Sequence, residues 1–320
     1  MQLAIRRLAP VVIATLLLAA TATSASAASR AFPTQNLGNR GADVRAIQGF
    51  LAARGYPAIV NGRFDTATED QVKAFQATRG LPANGVVGAP TWTRLIVWAG
   101  FGSKGEAVKV LQRELNEKRF ARLTVNGVFG GATRNAVIAF QRHMGLAPNG
   151  AVGLATWRSL LWHFDYPVFN AISLCDYSDG NGRANWGTGA AVGQLEAAAA
   201  AFSGTGHGRV PVGDLGYEHG GNIPGHATHE VGLDADLRLI RKAGDQCRFP
   251  TTYHLATYDR AATRTLILAI RAAAPGHVKL IYFNDPVLIA EGLTTHYVGH
   301  DDHLHVRYCE AGYPDVRYRC

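Results

Sequence analysis

Cysteine, charge and long apolar runs are all scarce in this chain. Four cysteines in 320 residues are too few to scaffold a small disulfide-stapled fold. None stands in a C-x-x-C spacing, which leaves thiolate zinc knuckles and dithiol redox chemistry without support. Charged residues make up 18% of the chain and hydrophobic residues 47%. That balance fits globular domains and excludes a mostly disordered polymer. After residue 30 no stretch is long and apolar enough to span a bilayer. H-E-x-x-H is absent, which argues against the helix-based zinc proteases, and no carboxylate pair is assignable to glycoside hydrolysis.

Basic residues are in excess: 32 Lys and Arg against 24 Asp and Glu give a formal charge of +8 and a pI near 9.5. The partner this suggests is an acidic polymer, whether nucleic acid, an anionic membrane or an anionic cell wall. The first thirty residues narrow the choice. Arg6 and Arg7 precede an apolar stretch from Leu8 to Ala20 broken only by Pro10, and Ala25-Ser26-Ala27 supplies a small-residue cleavage pattern. Residues 1–27 therefore read as a signal peptide, the apolar stretch falling short of the roughly 18–20 residues that span a bilayer. Its loss leaves 30 basic against 24 acidic residues, a charge of +6. Export predicts a monomer in the cell wall or periplasm, with no stable membrane insertion, no nucleic-acid partner and the wall as the acidic polymer. It also permits disulfides among Cys175, Cys247, Cys309 and Cys320, with three possible pairings, all within the C-terminal half.

Residues 37–161 contain one unit twice. Gly41, Val44, Gln48 and Leu51 recur as Gly105, Val108, Gln112 and Leu115. Asn61-Gly62, Phe64, Thr68, Val72 and Phe75-Gln76 recur as Asn126-Gly127, Phe129, Thr133, Val137 and Phe140-Gln141. Thr91-Trp92 returns as Thr156-Trp157. Val44, Ile47, Gln48 and Leu51 have the spacing of one helix face. Thr66-x-x-Glu69 reads as a capping box opening a second helix. Asn-Gly pairs mark turns that need positive φ, and Thr91-Trp92 opens a short third helix ending near Ile96. Two three-helix modules are expected, at 37–97 and 101–162, each with a modest core. The pattern resembles the peptidoglycan-binding module of secreted wall enzymes: V-x-x-L-Q-x-x-L, G-x-F-G-x-x-T, A-V-x-x-F-Q and G-x-V-G-x-x-T-W. The first copy departs from it where Asp65 replaces the second turn glycine and Gln71 replaces the alanine before Val72.

Residues 165–320 differ in character, with most of the histidines, all four cysteines and no repeat. Strand-like stretches at Val278–Phe283 and His303–Tyr308, helical ones at Ala191–Ala201 and Tyr258–Ala274, and a loop over 176–190 predict an α+β domain with an antiparallel sheet. The fold class is therefore multidomain: two small all-α modules followed by an α+β domain. Two clusters carry chemistry, one running from Gly225 through His226 and His229 to Asp236, the other from His300 to Arg307. On a strand His303 and His305 share a face. With His229 and Asp236 from another segment they can surround one divalent ion and leave a position for water. Either H-x-H or H-x6-D alone is a weak signal; H-x6-D followed by H-x2-H-x-H in one exported domain points to a metal centre.

These clusters, with Val212–Leu215 and Gly220-Gly221, resemble the penicillin-insensitive murein endopeptidases, which are related to the D-Ala-D-Ala metallopeptidases. The resemblance implies one zinc ion held by His229, Asp236 and His305, with His300 as general base and His303 stabilising the transition state. Thr228 stands where that family usually has serine. The implied activity is a D,D-endopeptidase that cuts peptidoglycan cross-links and is held on its substrate by the two modules. A D-Ala-D-Ala carboxypeptidase could use the same ligands. A zinc amidase cutting the lactyl amide shares the chemistry, and a non-catalytic wall-binding protein is the alternative of another class. His226 is read as a cleft residue or a partner of the ligands, and Asp234, Asp301 and Asp302 as loop carboxylates or partners that orient the imidazoles, rather than as ligands. His143, His163, His207, His219, His254, His277 and His296 are read as ordinary surface or packing residues, and Trp186 as core.

Overall fold

A computed structural model describes residues 32–170, 172–177 and 183–320. The expected signal peptide, 1–27, and part of the expected loop over 176–190 lie outside the described residues. Among the described residues no helix is long and apolar enough to cross a membrane.

The repeat folds as two sets of three helices: α1 (Ala42–Ala53), α2 (Thr66–Thr78) and α3 (Ala89–Leu95), then α4 (Glu106–Arg119), α5 (Gly131–His143) and α6 (Leu154–Trp162). Val44, Ile47 and Leu51 are buried along one side of α1, as are Val108, Leu111 and Leu115 in α4. The repeated glutamines have a separate task. Gln48 accepts the N–H groups of Asn61 and Gly62 and donates to Arg63 O and Thr68 Oγ1, clamping the Asn-Gly turn to the helix. Gln112, Gln76 and Gln141 clamp the turns at Gly127, Gly85 and Gly150 in the same way. A buried amide with its donors and acceptors all used is why this residue type recurs.

The capping expectation needs correction. Thr66 is the first helical residue, and Asp65 is the cap, accepting the Thr68 N–H at 3.0 Å. A carboxylate caps at least as well as a hydroxyl and its charge suits a helix N-terminus. Gly130 holds the same place in the second module and offers no side-chain cap.

The third domain contains β1 (Leu174–Asp176), α7 (Gly189–Ser203), β2 (Val210–Val212), β3 (Asp234–Arg238), α8 (Arg260–Ala273), β4 (Val278–Tyr282), α9 (Pro286–Ala290) and β5 (His303–Tyr308). Its sheet runs β1-β2-β3-β5-β4 and is mixed rather than wholly antiparallel. β1 and β2 are parallel, because α7 carries the chain back to the end at which β1 began. The other pairings are antiparallel. Ala235, Leu237, Leu304 and Val306 join Leu195 and Phe202 of α7 and Leu266 and Ile270 of α8 in the core. The disulfides are Cys175–Cys247 and Cys309–Cys320.

The modules are docked on this domain. Gly41, which precedes α1, meets Gly193 of α7 so closely that a Cβ on Gly193 would lie 2.4 Å from Gly41 Cα. Arg40 Nε donates to Ala273 O at 2.8 Å. Lys118 of α4 is fully buried, with Nζ 2.9 Å from Asp43, 3.2 Å from Glu114 and 3.6 Å from Asp165. One ammonium thus joins α1, α4 and the start of the third domain.

Candidate metal and catalytic site

Antiparallel pairing of β3 with β5 sets Asp236 opposite His305 and Asp234 opposite Arg307. Because side chains alternate along a strand, these residues share the face turned away from the helices. His229 arrives from the loop before β3 at φ 73°, the left-handed region that a histidine adopts at a cost of order 1–2 kcal/mol. Its N–H donates to Asp234 Oδ2 at 3.1 Å and its Nδ1–H to Leu215 O at 3.1 Å.

The protons follow from these partners. With Nδ1–H on a carbonyl, His229 presents a lone pair at Nε2. His305 donates Nε2–H to Asp234 Oδ1 at 3.0 Å, which leaves its Nδ1 as a lone pair. His229 Nε2 lies 3.3 Å from His305 Nδ1 and 3.2 Å from Asp236 Oδ2, and His305 Nδ1 lies 2.9 Å from Asp236 Oδ1. Ligands about 2.0–2.1 Å from a tetrahedral ion stand about 3.3 Å apart. Two lone pairs and a carboxylate at such distances repel unless a cation sits among them. A proton can serve: burial opposes it, but bonds to Asp234 and Asp236 push His305 up to about 9. A divalent ion would displace that proton.

The surroundings keep the acids ionised. Burial works against the Asp236 carboxylate, yet His229 and bonds from His226, His229 and His305 hold it well below the usual range. Asp234 is likewise lowered against burial by His305 and Arg307, and it also accepts the Tyr318 hydroxyl at 2.8 Å. His226 offers a further nitrogen: its ligand atom and those of His229 and Asp236 all lie within 4.8 Å of one another. Its Nε2 is 3.3 Å from Asp214 Oδ2 and 3.7 Å from Asp236 Oδ2.

His300 donates Nδ1–H to Val298 O at 3.1 Å, which leaves Nε2 basic, and its ring lies 4.7 Å from that of His303 and 5.5 Å from that of His305. Burial and then the nearby His303 lower its pKa, favouring the neutral ring. His303 donates Nδ1–H to Asp302 Oδ1 at 2.8 Å, and its Nε2 is 3.8 Å from Asp236 Oδ1. These residues border an open cleft of about 540 Å³ that Tyr282, Tyr297 and Arg317 also line. Asp302 and Asp234 each partner an imidazole of the site, whereas Asp301 accepts from Asn284 Nδ2 at 2.7 Å and lies 3.6 Å from His254 Nε2, away from the site.

Trp186, read as core, is half-buried among the rings of Phe120, Tyr166 and His163, between the second module and the third domain. Sequence reasoning missed Leu215 O, Tyr282 and Tyr318. Leu215 sits in a noticed motif, but a carbonyl has no side-chain signature; Tyr318 lies in the C-terminal segment that Cys309–Cys320 and the Glu310 backbone tie back to the domain.

Residues 40–95 and 104–160 each match the peptidoglycan binding domain family, and residues 180–267 match the penicillin-insensitive murein endopeptidase family. The second match includes His229 and Asp236 and ends before β5. The chain is 34% identical over 146 residues to N-acetylmuramoyl-L-alanine amidase CwlM of Mycobacterium tuberculosis, a match covering 38% of this chain and 36% of that protein. It is 47% identical over 57 residues, 18% of this chain and 48% of the other, to an uncharacterized protein in the bpoA1 3' region of Kitasatospora aureofaciens. The chain spans about a third to a half of the length of these curated relatives.

Proposed function

We propose that this chain, two peptidoglycan-binding modules followed by a penicillin-insensitive murein endopeptidase domain, is a secreted zinc-dependent D,D-endopeptidase that hydrolyses peptidoglycan cross-links. The observation that carries the reading is the convergence of His229 Nε2, His305 Nδ1 and the Asp236 carboxylate at 2.9–3.3 Å from one another. Two imidazole nitrogens and a carboxylate at tetrahedral spacing suit zinc. Bound there, zinc would polarise the scissile carbonyl and bring the pKa of water down to about 7.

The remaining steps belong to the chain's own residues. His300 Nε2 accepts the proton of the attacking water and returns it to the leaving amine, so the amide C–N bond is exchanged for a carboxylate and a free amine. His303, its ring held by Asp302, donates from Nε2 to the tetrahedral oxyanion. Asp234 fixes the tautomer of His305, and His226 borders the substrate. No serine nucleophile takes part, which leaves β-lactams without a target. The units acting are a leader at 1–27, modules at 37–97 and 101–162, and the peptidase at 165–320. Two disulfides and the basic charge accord with work outside the membrane.

A second reading, cleavage of the lactyl amide, draws on the likeness to a protein named as an amidase. Digestion of purified peptidoglycan by the mature protein, with and without chelator, tests these readings when the fragments are identified by mass. Conversion of cross-linked dimers to monomers is expected. Loss of terminal D-Ala alone would make the enzyme a carboxypeptidase, and release of peptides from intact glycan would make it an amidase. Cleavage that persists in chelator would remove the metal from the mechanism.

A further inference from the structure

A second group of ligand-type side chains converges where the second module meets the third domain. His143 ends α5, His163 follows α6, and Glu218 and His219 lie in the loop between β2 and β3. One ligand atom from each of the four lies within 4.8 Å of all the others. His143 Nε2 is 3.1 Å from His219 Nε2 and 3.3 Å from Glu218 Oε1, and His163 Nε2 is 3.2 Å from that oxygen. These separations again match the edge of about 3.3 Å expected for a tetrahedral ion.

The proton inventory repeats the pattern of the first centre. His163 is buried and donates Nδ1–H to Phe164 O at 2.7 Å, so its Nε2 faces the Glu218 carboxylate as a lone pair. Two acceptors facing each other at 3.2 Å are an arrangement that a cation between them would relieve. Arg119 bonds Glu218 Oε1. Oε2, 3.9 Å from His219 Nε2, stays within reach of an ion.

We propose that His143, His163, His219 and Glu218 form a second site for a divalent transition metal, zinc above all, joining the second module to the peptidase domain. Three imidazoles and one carboxylate complete a four-coordinate shell with no open position, the pattern of a structural ion. The ion would also act on the first centre indirectly. Leu215 O fixes His229 Nδ1, and Gly221 N–H donates to Glu230 O at 2.8 Å. Anchoring residues 218 and 219 therefore steadies the loop that orients His229, making these four positioning residues rather than catalytic ones.

The test is metal content. Tag-free mature protein is stripped with chelator, dialysed against micromolar ZnCl2 and analysed for zinc per chain. About two equivalents are expected. His143→Ala with His219→Ala should leave about one, and both positions are exposed, so folding is not at stake. His229→Ala should also leave about one. With Co2+ in place of zinc, the tetrahedral visible absorption of the second site should persist in His229→Ala and vanish in that variant once His143 and His219 are also replaced. One equivalent in the parent that His229→Ala removes would overturn the proposal, as would two equivalents in the His143/His219 double variant. Because the two sets of substitutions remove different equivalents, failure of this site and failure of the catalytic reading are separately visible.

Discussion

At the scale of single residues, the site is organised by where protons are held. Leu215 O holds one on His229, Asp234 one on His305, Val298 O one on His300 and Asp302 one on His303. Each bond leaves the opposite nitrogen to act. His300 is the sharpest case, since it is a base candidate and is not proposed as a ligand. His300→Ala is expected to retain zinc while turnover on cross-linked muropeptides falls by roughly 10²–10⁴, the usual worth of a general base. Zinc analysis and a rate assay on one preparation check this, and a parent-like rate with full zinc would remove His300 from the mechanism. The pH dependence has a definite sign. Burial, then His303, lowers the His300 pKa, so its neutral ring, the form the proposed base requires, persists below the ordinary histidine range. Activity should fall as pH drops through that lowered value.

At the scale of elements, the β3–β5 register brings the two sequence clusters together, and the strand that carries the second of them was legible. H-x-H on a strand fixes a shared face, whereas nothing in the H-x6-D spacing marked Asp236 as a strand residue opposite His305. The parallel pairing of β1 and β2 was not legible, because three-residue strands are too short to show a period. The turn-clamping role of Gln48 was hidden for another reason: its partners lie 13 to 20 residues away, and only the fold brings them together. His143, His163 and His219 looked ordinary because no spacing links them. The glycine contact between Gly41 and α7 was equally silent, yet it controls how closely the first module docks. Gly193→Ala would drive a Cβ to 2.4 Å from Gly41 Cα and 2.7 Å from Gly41 N. Backbone cannot rotate aside, so a loss of about 1–3 kcal/mol is expected. Gly204→Ala is the control: φ there is −64° and its nearest neighbour would be 3.4 Å away. Calorimetry should show the first variant melting lower and the second unchanged or slightly higher; equal melting would mean that the Gly41–Gly193 approach carries no load.

At the scale of the whole molecule, the two helical modules are packed onto the third domain rather than hung from a flexible tether. A flexible linker lets a module sample a wide volume; a docked module holds its surface at one fixed offset from the cleft. Buried charge sits at the centre of that docking, where Lys118 serves Asp43, Glu114 and Asp165 at once. Removing it with Lys118→Met would leave buried carboxylates without a counter-charge, a loss of about 3–5 kcal/mol. One lysine cannot neutralise three ionised acids, so the cluster also retains protons. Burial pushes Glu114 up to about 7 and raises Asp43 and Asp165 as well, the attraction of Lys118 opposing it in each case. The folded chain therefore binds more protons than the unfolded chain between the ordinary carboxylate range and about 7. Linkage then requires that stability fall as pH rises through that window. Glu114→Gln takes one of these acids away without altering the shape of the side chain, and melting temperatures across the window should decline less steeply in the variant than in the parent. If the two curves ran parallel, Glu114 would not change its protonation within the window and would contribute nothing to the pH dependence of stability.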